Sequence, residues 1–475
     1  MIKTASEFYK ILIQKFPFEP TISQDLLLTK LTDFIFDKNK NSLFLIKGYA
    51  GTGKTTTIST VVNNLWHIGK KAVLLAPTGR AAKVISGYAN KQAFTIHKKI
   101  YFPKKNKSGG VDFTLQPNKH NNTIFIVDEA SMIPDGSDKV KLFENNSLLD
   151  DLMSYVYSGV GCKIIFIGDT AQLPPVKLDI SPALDAKKLE LNYDKVVTEI
   201  ELSEVMRQHE ASGILINATD LRFIIANIGS NTFQFQLGFP DLIRLVDGYD
   251  IEDAIHSAYD NIGVEDTAFI VRSNKRANQY NQQIRSKIRG QENEISTGDY
   301  VMVVKNNYFW LKDSSDAGFI ANGDICEILE IKNIKELYGF RFAEVTIRMI
   351  DYPNQKPFET VLLLDTLASE SPSLTYEESN RLYHEVGKDF AHEKSKYKQL
   401  LGIKANQYFN ALQIKFAYAV TCHKSQGGQW KTVFIEQPYL PNGEGVEYYR
   451  WLYTALTRAQ EKVYLIGFKN ECFIE

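Results

Sequence analysis

The chain has 475 residues, 44% of them hydrophobic and 23% charged, the proportions of an ordinary soluble globular protein rather than a disordered or fibrous one. At about 150 residues per domain, that length predicts roughly three domains. The net charge is −1, which signals no global polyanion partner, and the four cysteines form no Cys-x-x-Cys pair, which argues against a zinc site or disulfide framework. No apolar run reaches the roughly 18 to 20 residues that span a bilayer. The N-terminus, Met1 to Glu7, carries no apolar signal core, so a cytoplasmic protein without membrane contact is expected.

In chain order, the first part alternates strand-like and helix-like segments. Asn41–Lys47 is a short apolar run ended by glycine, Lys54–Ile68 reads as a helix, and Ala72–Ala76 reads as a strand. Thr123–Val127 and Lys163–Ile167 are almost wholly apolar, as strands of a parallel sheet buried on both faces are. A doubly wound α/β core follows. Between Gly79 and Asn122 the cations Arg80, Lys83, Lys91, Lys98, Lys99, Lys104, Lys105, Lys107 and Lys119 are opposed only by Asp112. Such a block suits either a phosphate-backbone contact surface or a merely solvated lysine-rich loop. From about Gly298 the texture changes. Asp299–Val304, Asp324–Ile331 and Ala343–Arg348, with turn formers Asn322-Gly323 and Tyr338-Gly339, predict antiparallel strands of a small barrel. A polar helical segment over 376–401 follows. The apolar runs Gln413–Val420, Thr432–Ile435 and Val463–Ile466 then predict a return to a second α/β domain, into which barrel and helix are inserted.

The sharpest chemical signal is Gly48-Tyr49-Ala50-Gly51-Thr52-Gly53-Lys54-Thr55, a phosphate loop lying between an apolar strand and a helix. Its glycines let backbone N–H groups wrap phosphates at a helix N-terminus. Lys54 would reach the β- and γ-phosphates and Thr55 would hold Mg²⁺. Asp128-Glu129 follows an apolar strand, where metal and water chemistry belongs in such sheets. The natural division puts Asp128 on the metal and Glu129 on the attacking water; the competing reading is a pair that caps the next helix. Gly168-Asp169-Thr170-Ala171-Gln172-Leu173-Pro174-Pro175 follows a third strand and offers Gln172 as a γ-phosphate sensor, or only a stiff turn.

These segments resemble motifs I, II and III of superfamily 1 helicases, most closely the B branch of RecD-like and Dda-like enzymes. The likeness continues in the family's order. Gln24 is similar to the adenine-reading glutamine, Ala76–Ala82 to motif Ia, and Thr95-Ile96-His97 to motif Ib. Leu202–Gln208 is similar to motif IV, Ala419–Gly427 to motif V, and Tyr453–Ala459 to motif VI. The resemblance implies an ATP- and Mg²⁺-dependent DNA helicase that moves 5′ to 3′ on single strands as a monomer. Single-stranded DNA and single/double-strand junctions are its expected partners, alongside replication or repair proteins. It implies two RecA-like P-loop domains: residues 1–200, with a wedge insertion at about 98–122, and residues 201–293 together with 405–475. Residues 294–404 would be an inserted SH3-like β-barrel and helical segment.

The resemblance also distributes roles. Glu129, Gln172 and the arginine fingers Arg207 and Arg458 would be catalytic; without motif context, two arginines are more often surface ion pairs. Gln24, Gly48, Ala50, Gly51, Thr52, Gly53, Lys54, Thr55, Thr56, Gln426 and Gly427 would bind nucleotide, with Thr55 and Asp128 on the metal. Pro77, Thr78, Thr95, His97, Thr421, His423 and Lys424 would line the strand track, contacting phosphate and sugar without reading sequence. A lone His97 or His423 could equally be a packed or capping residue, and Arg80 a solvated one. Tyr101, Phe102 and Phe113 in the basic insertion would suit a pin meeting the duplex junction. Asn306–Trp310 is expected to pack in the barrel rather than on DNA. The rival readings are a motor subunit of a recombination complex, an RNA-directed helicase and a small-substrate P-loop kinase. The kinase does not need paired arginines and a Gly-Asp-x-x-Gln segment so far apart.

Overall fold

The structure, a computed structural model, describes residues 2–105, 111–134, 147–204, 212–227, 232–311, 319–440 and 443–474, and side chains outside 103–113. The first unit contains β1 (Ser42–Gly48), β2 (Lys71–Ala76), β3 (Ala93–Thr95), β4 (Tyr101–Lys105), β5 (Val111–Leu115), β6 (Thr123–Val127), β7 (Lys163–Gly168) and β8 (Val196–Leu202). Six of them form one parallel sheet in the order β3-β2-β6-β7-β1-β8. Alternate side chains of the same strands feed opposite faces. Phe44, Ile46, Ile124, Ile126 and Ile165 join Phe8, Leu28 and Val61 in one core, while Leu43, Leu45, Phe125, Val127 and Phe166 join Leu152 and Val156 in the other. Helices covering both faces explain why these strands are apolar throughout rather than alternating. The helix from Lys54 ends at Asn64 and tightens into a 3-10 turn over Leu65–Ile68. β4 and β5 pair as an antiparallel hairpin, from Tyr101↔Leu115 to Lys105↔Val111.

The second unit is also parallel: β9 (Leu242–Leu245) and β10 (Thr267–Val271) join three strands from the C-terminal region. Before those come the strands of a closed barrel: β11 (Tyr300–Val303), β12 (Ile325–Leu337), β13 (Phe340–Met349), β14 (Phe358–Leu363) and β15 (Leu412–Phe416). β16 (Ala419–Thr421), β17 (Trp430–Glu436) and β18 (Ala459–Ile466) then complete the sheet β16-β10-β17-β18-β9.

Two expectations need correction. The apolar run 413–420 does not belong wholly to the second sheet. Its first half is β15, which pairs with β11 and β14 and closes the barrel beyond the expected boundary at 404. An apolar run states that a strand is buried, not which sheet buries it. The polar segment 376–401 is two helices, Tyr376–Lys388 and Lys396–Ala405, broken around 389–395 and packed through Leu382, Val386 and Ile403 against Phe340 and Phe342 of the barrel. Among the described residues no helix is long and apolar enough to cross a membrane.

Candidate nucleotide and nucleic-acid sites

A cavity of about 460 Å³ opens where the C-terminal ends of β1, β6 and β7 face the second unit. Its first wall is the phosphate loop. Gly51 and Gly53 adopt left-handed φ angles of 75° and 80°, and Gly53 forms the N-cap of the helix Lys54–Asn64. That geometry turns the loop back on itself and leaves the helix's first amides facing the cavity. The Lys54 ammonium donates to the carbonyls of Gly48 and Tyr49 at 2.6 and 2.7 Å, so it already lies along the loop. Ala50, Gly51, Gly53, Lys54, Thr55 and Thr56 all line the cavity.

Asp128 and Glu129, just past β6, form the floor. Burial, and then the neighbouring Glu129 charge, push the Asp128 carboxyl up to about 7. Its Oδ1 accepts the Glu129 amide at 2.9 Å. Glu129 itself sits at φ 52°, a left-handed backbone that costs a non-glycine residue about 1–2 kcal/mol. Strain of this kind concentrates where a side chain has to be aimed. A dication held by Asp128 and Thr55 would relieve the repulsion between the two adjacent carboxylates, and hard oxygen donors completed by phosphate oxygens fit Mg²⁺.

Beyond β7, Gln172 is only 7% exposed, and its Oε1 has no hydrogen-bond partner among the described residues. It lines the same cavity. A buried amide oxygen without a partner is costly unless a ligand or water satisfies it. From the second unit, Arg458 enters at 3% exposure. Its guanidinium donates to the carbonyls of Thr454 and Gly428, and Nη1 lies 3.8 Å from Glu129 Oε1. Gly427 joins this wall; Gln426 does not, because its amide donates at 2.6 Å to the Leu173 carbonyl. Gly48 and Thr52 support the loop from behind. Gln24 is also behind it: fully buried, it accepts from the Thr21 amide at 3.1 Å and donates to the Thr52 carbonyl at 3.0 Å. Arg207 lies outside the described residues.

The residues expected on the strand track gather at the C-terminal ends of β2, β3 and β16. Thr78 and Thr95 cap the helices Gly79–Ala89 and Ile96–Ile100. Pro77 precedes the first cap, Thr421 ends β16, and His423 and Lys424 follow it. Gly427, which follows the second group in the chain and has φ 71°, packs on the first: a Cβ there would stand 3.1 Å from Thr78 Oγ1 and 2.8 Å from Ala81 Cβ. Burial drops the His97 imidazole to about 4, so it is neutral at physiological pH.

Part of the basic block is engaged by the protein itself, Arg80 and Lys98 through aromatic packing and the half-exposed Lys83 through an ion pair. Arg80 stacks 3.9 Å over the Trp430 ring. Lys83 pairs with Asp351 at 3.4 Å, and the Lys98 ammonium sits 4.0 Å over the Tyr352 ring of the barrel. Trp310 packs as expected, its indole N–H donating to Asn410 at 2.8 Å. Sequence reasoning did not single out Phe18 and Tyr49 as cavity-lining residues, nor Tyr453 as a cross-unit contact. Tyr49 and Tyr453 lie inside quoted motifs, but only spatial contact distinguishes them from core aromatics.

Comparison with known proteins agrees with this arrangement. Residues 33–178 match the model of an AAA domain, and residues 416–466 match that of the UvrD-like helicase C-terminal domain. The chain is 24% identical over 515 residues to an uncharacterized protein of Acanthamoeba polyphaga mimivirus, covering 94% of this chain and 99% of that one. It is 24% identical over 463 residues to the ATP-dependent DNA helicase dda of Enterobacteria phage T4, covering 90% of this chain and 95% of that one. With the ATP-dependent RecD2 DNA helicase of Deinococcus radiodurans it shares 30% identity over 174 residues, which is 36% of this chain and 21% of the relative. Two parallel α/β units, a phosphate loop between them, an arginine from the second unit beside the acidic pair of the first, and these matches together make the chain similar to the superfamily 1 helicases, in their B branch.

Proposed function

We propose that this chain is an ATP-dependent DNA helicase that couples Mg²⁺-assisted ATP hydrolysis to 5′-to-3′ movement along single-stranded DNA and to duplex unwinding. The observation that carries the reading is the position of Arg458: it comes from one sheet and stands 3.8 Å from Glu129 of the other, across the cavity that the phosphate loop lines. Such a site is complete only when the two units are together, so chemistry in it is tied to their relative motion. Both walls belong to one chain, which suits a monomer.

In this reading Mg²⁺, when bound, would supply positive charge against the negative charge that develops as the γ-phosphoryl group is transferred. Thr55 and Asp128 would hold it. Lys54 exchanges its two loop carbonyls for phosphate oxygens. Glu129 orients water and takes its proton, and the Gln172 amide oxygen orients the same water. Arg458, with Arg207 as a second finger, stabilises developing negative charge; an arginine in this position is worth orders of magnitude in rate. Gln24 is proposed to act through the loop backbone as well as at the base. Thr78, Thr95 and His97 on one unit, and Thr421, His423 and Lys424 on the other, would grip the strand alternately as the cleft works. The hairpin β4–β5 would be the wedge at the junction. The barrel would be the SH3-like insertion, with the RecA-like units divided as the sequence suggests except for β15.

The test is ATP hydrolysis with and without single-stranded DNA, together with unwinding of 5′-tailed and 3′-tailed duplexes, for the wild type and Lys54→Ala. Strong stimulation by DNA, unwinding from the 5′ tail alone and loss of both in the variant are expected. Hydrolysis indifferent to DNA would sink the motor reading, and unwinding from the 3′ tail would reverse the direction.

A further inference from the structure

Resting on that reading, we infer that Tyr453 is a positioning residue whose hydroxyl joins the second unit to both the phosphate loop and the segment carrying Gln172. The ring belongs to the helix Val446–Leu456 of the second unit and is 1% exposed. Its hydroxyl donates to Asp169 Oδ2 at 2.7 Å and accepts the Ala50 amide N–H at 2.9 Å. Both partners belong to the first unit, one in the nucleotide loop and one just past β7. A single phenol O–H therefore uses its donor and one acceptor position across the interface.

The contact belongs to a larger clamp. Asp169 Oδ1 accepts the Ala171 amide at 2.9 Å. On the other side of Gln172, the Leu173 amide donates to Thr454 Oγ1 at 2.8 Å and the Leu173 carbonyl accepts from Gln426 at 2.6 Å. Gln172 is thus framed on both sides by groups that the second unit holds, while its own Oε1 is left without a partner among the described residues. Arg458 lies just beyond the end of the Tyr453 helix. A displacement that carries Arg458 relative to Glu129 must also strain or remake the Tyr453 bridge. Cleft geometry is in this way transmitted to the loop amide and to the Gln172 backbone together. Tyr453 touches neither water nor phosphate in this role; it acts through Ala50 and Asp169.

Tyr453→Phe deletes the hydroxyl and keeps the ring. At saturating single-stranded DNA, kcat for ATP hydrolysis is expected to fall at least tenfold, with KM for ATP within twofold of wild type and the thermal midpoint within a few degrees. Asp169→Asn, which weakens the bridge from the opposite side, should show the same split. The double variant should be no slower than the slower single variant, because both remove one linkage. A Phe variant within twofold of wild-type kcat, a parallel rise in KM, or losses that multiply in the double variant would overturn the inference while leaving the helicase reading intact. A wild type that hydrolyses no ATP would overturn both. Should the Phe variant fail to fold, Asp169→Asn alone decides by the same kcat-against-KM criterion.

Discussion

His97 follows the cap of a five-residue helix and packs 5.8 Å from the Tyr101 ring, and burial holds its imidazole at about 4 against an ordinary value of 6.5. Between those two values the unfolded chain binds the proton that the folded chain refuses. Stability supplied by neutral His97 is therefore complete above pH 6.5 and is lost as pH falls toward 4, amounting to at most about 3 kcal/mol. Urea titrations between pH 7 and 4 should show His97→Gln losing less stability with acid than wild type; parallel curves would mean that the imidazole is hydrated. The same neutrality means that any contact of His97 with a phosphate is a neutral hydrogen bond, so its contribution to DNA binding should not titrate near pH 6.5.

The phosphate loop and the helix after it form a unit in which backbone conformation and a distant side chain are matched. At Gly53, φ is 80° and an added Cβ would lie 2.4 Å from Gln24 Nε2. Two penalties follow for Gly53→Ala: left-handed strain of about 1–2 kcal/mol and displacement of a fully buried amide that holds the Thr52 carbonyl. ATP affinity, read by fluorescent-nucleotide titration, should fall at least tenfold. In a Gln24→Ala background the clash is gone but the φ strain remains, so the further loss caused by Gly53→Ala should be smaller. Equal losses in the two backgrounds would mean that Gln24 does not brace the loop. Gln24 also shows how an element borrows residues: it closes the capping box of its own helix at Thr21 while supporting the start of another.

At the scale of the molecule, barrel and second unit are not independent bodies. Phe269, Val271 and Tyr280 of the second unit share one hydrophobic cluster with Val301, Ile328 and Val345 of the barrel. Arg285 and Asp299, 2% and 0% exposed, form a bidentate pair in this seam with both N···O distances at 2.9 Å, and the Tyr418 hydroxyl donates to the same carboxylate at 2.8 Å. Removing one member of such a pair leaves an uncompensated buried charge and costs about 3–5 kcal/mol. Asp299→Ala should therefore destabilise barrel and second unit together, seen as one early thermal transition that includes both. Loss of the barrel alone, with β10 and β17 still protected from hydrogen exchange, would contradict the shared core. On the opposite side, the barrel reaches the first unit through Lys83–Asp351 and the Lys98–Tyr352 contact, so it touches both units that form the cleft.

What could be read from the order of residues alone was whatever depends on neighbours a few positions apart. Four consecutive features (apolar strand, glycine-rich turn, Lys54-Thr55, helix) specify the phosphate loop, and the continuous apolar runs at 123–127 and 163–167 specify strands buried on both faces. Asp128-Glu129 and Gln172 were legible because they sit at the ends of those strands. Other features needed the folded chain. The approach of Arg458 to Glu129, the burial of the Gln24 amide behind Thr52, the diversion of Arg80 and Lys98 from solvent into packing, and the Tyr453 bridge all join residues far apart in sequence. So does the capture of β15 by the barrel, since its apolar residues suit either sheet. Local propensity and periodicity act over one or two turns of chain, whereas partners brought together by packing are chosen by the burial of whole surfaces. The sequence by itself therefore determined the chemistry available to this protein, and tertiary structure decided which groups share the site where that chemistry takes place.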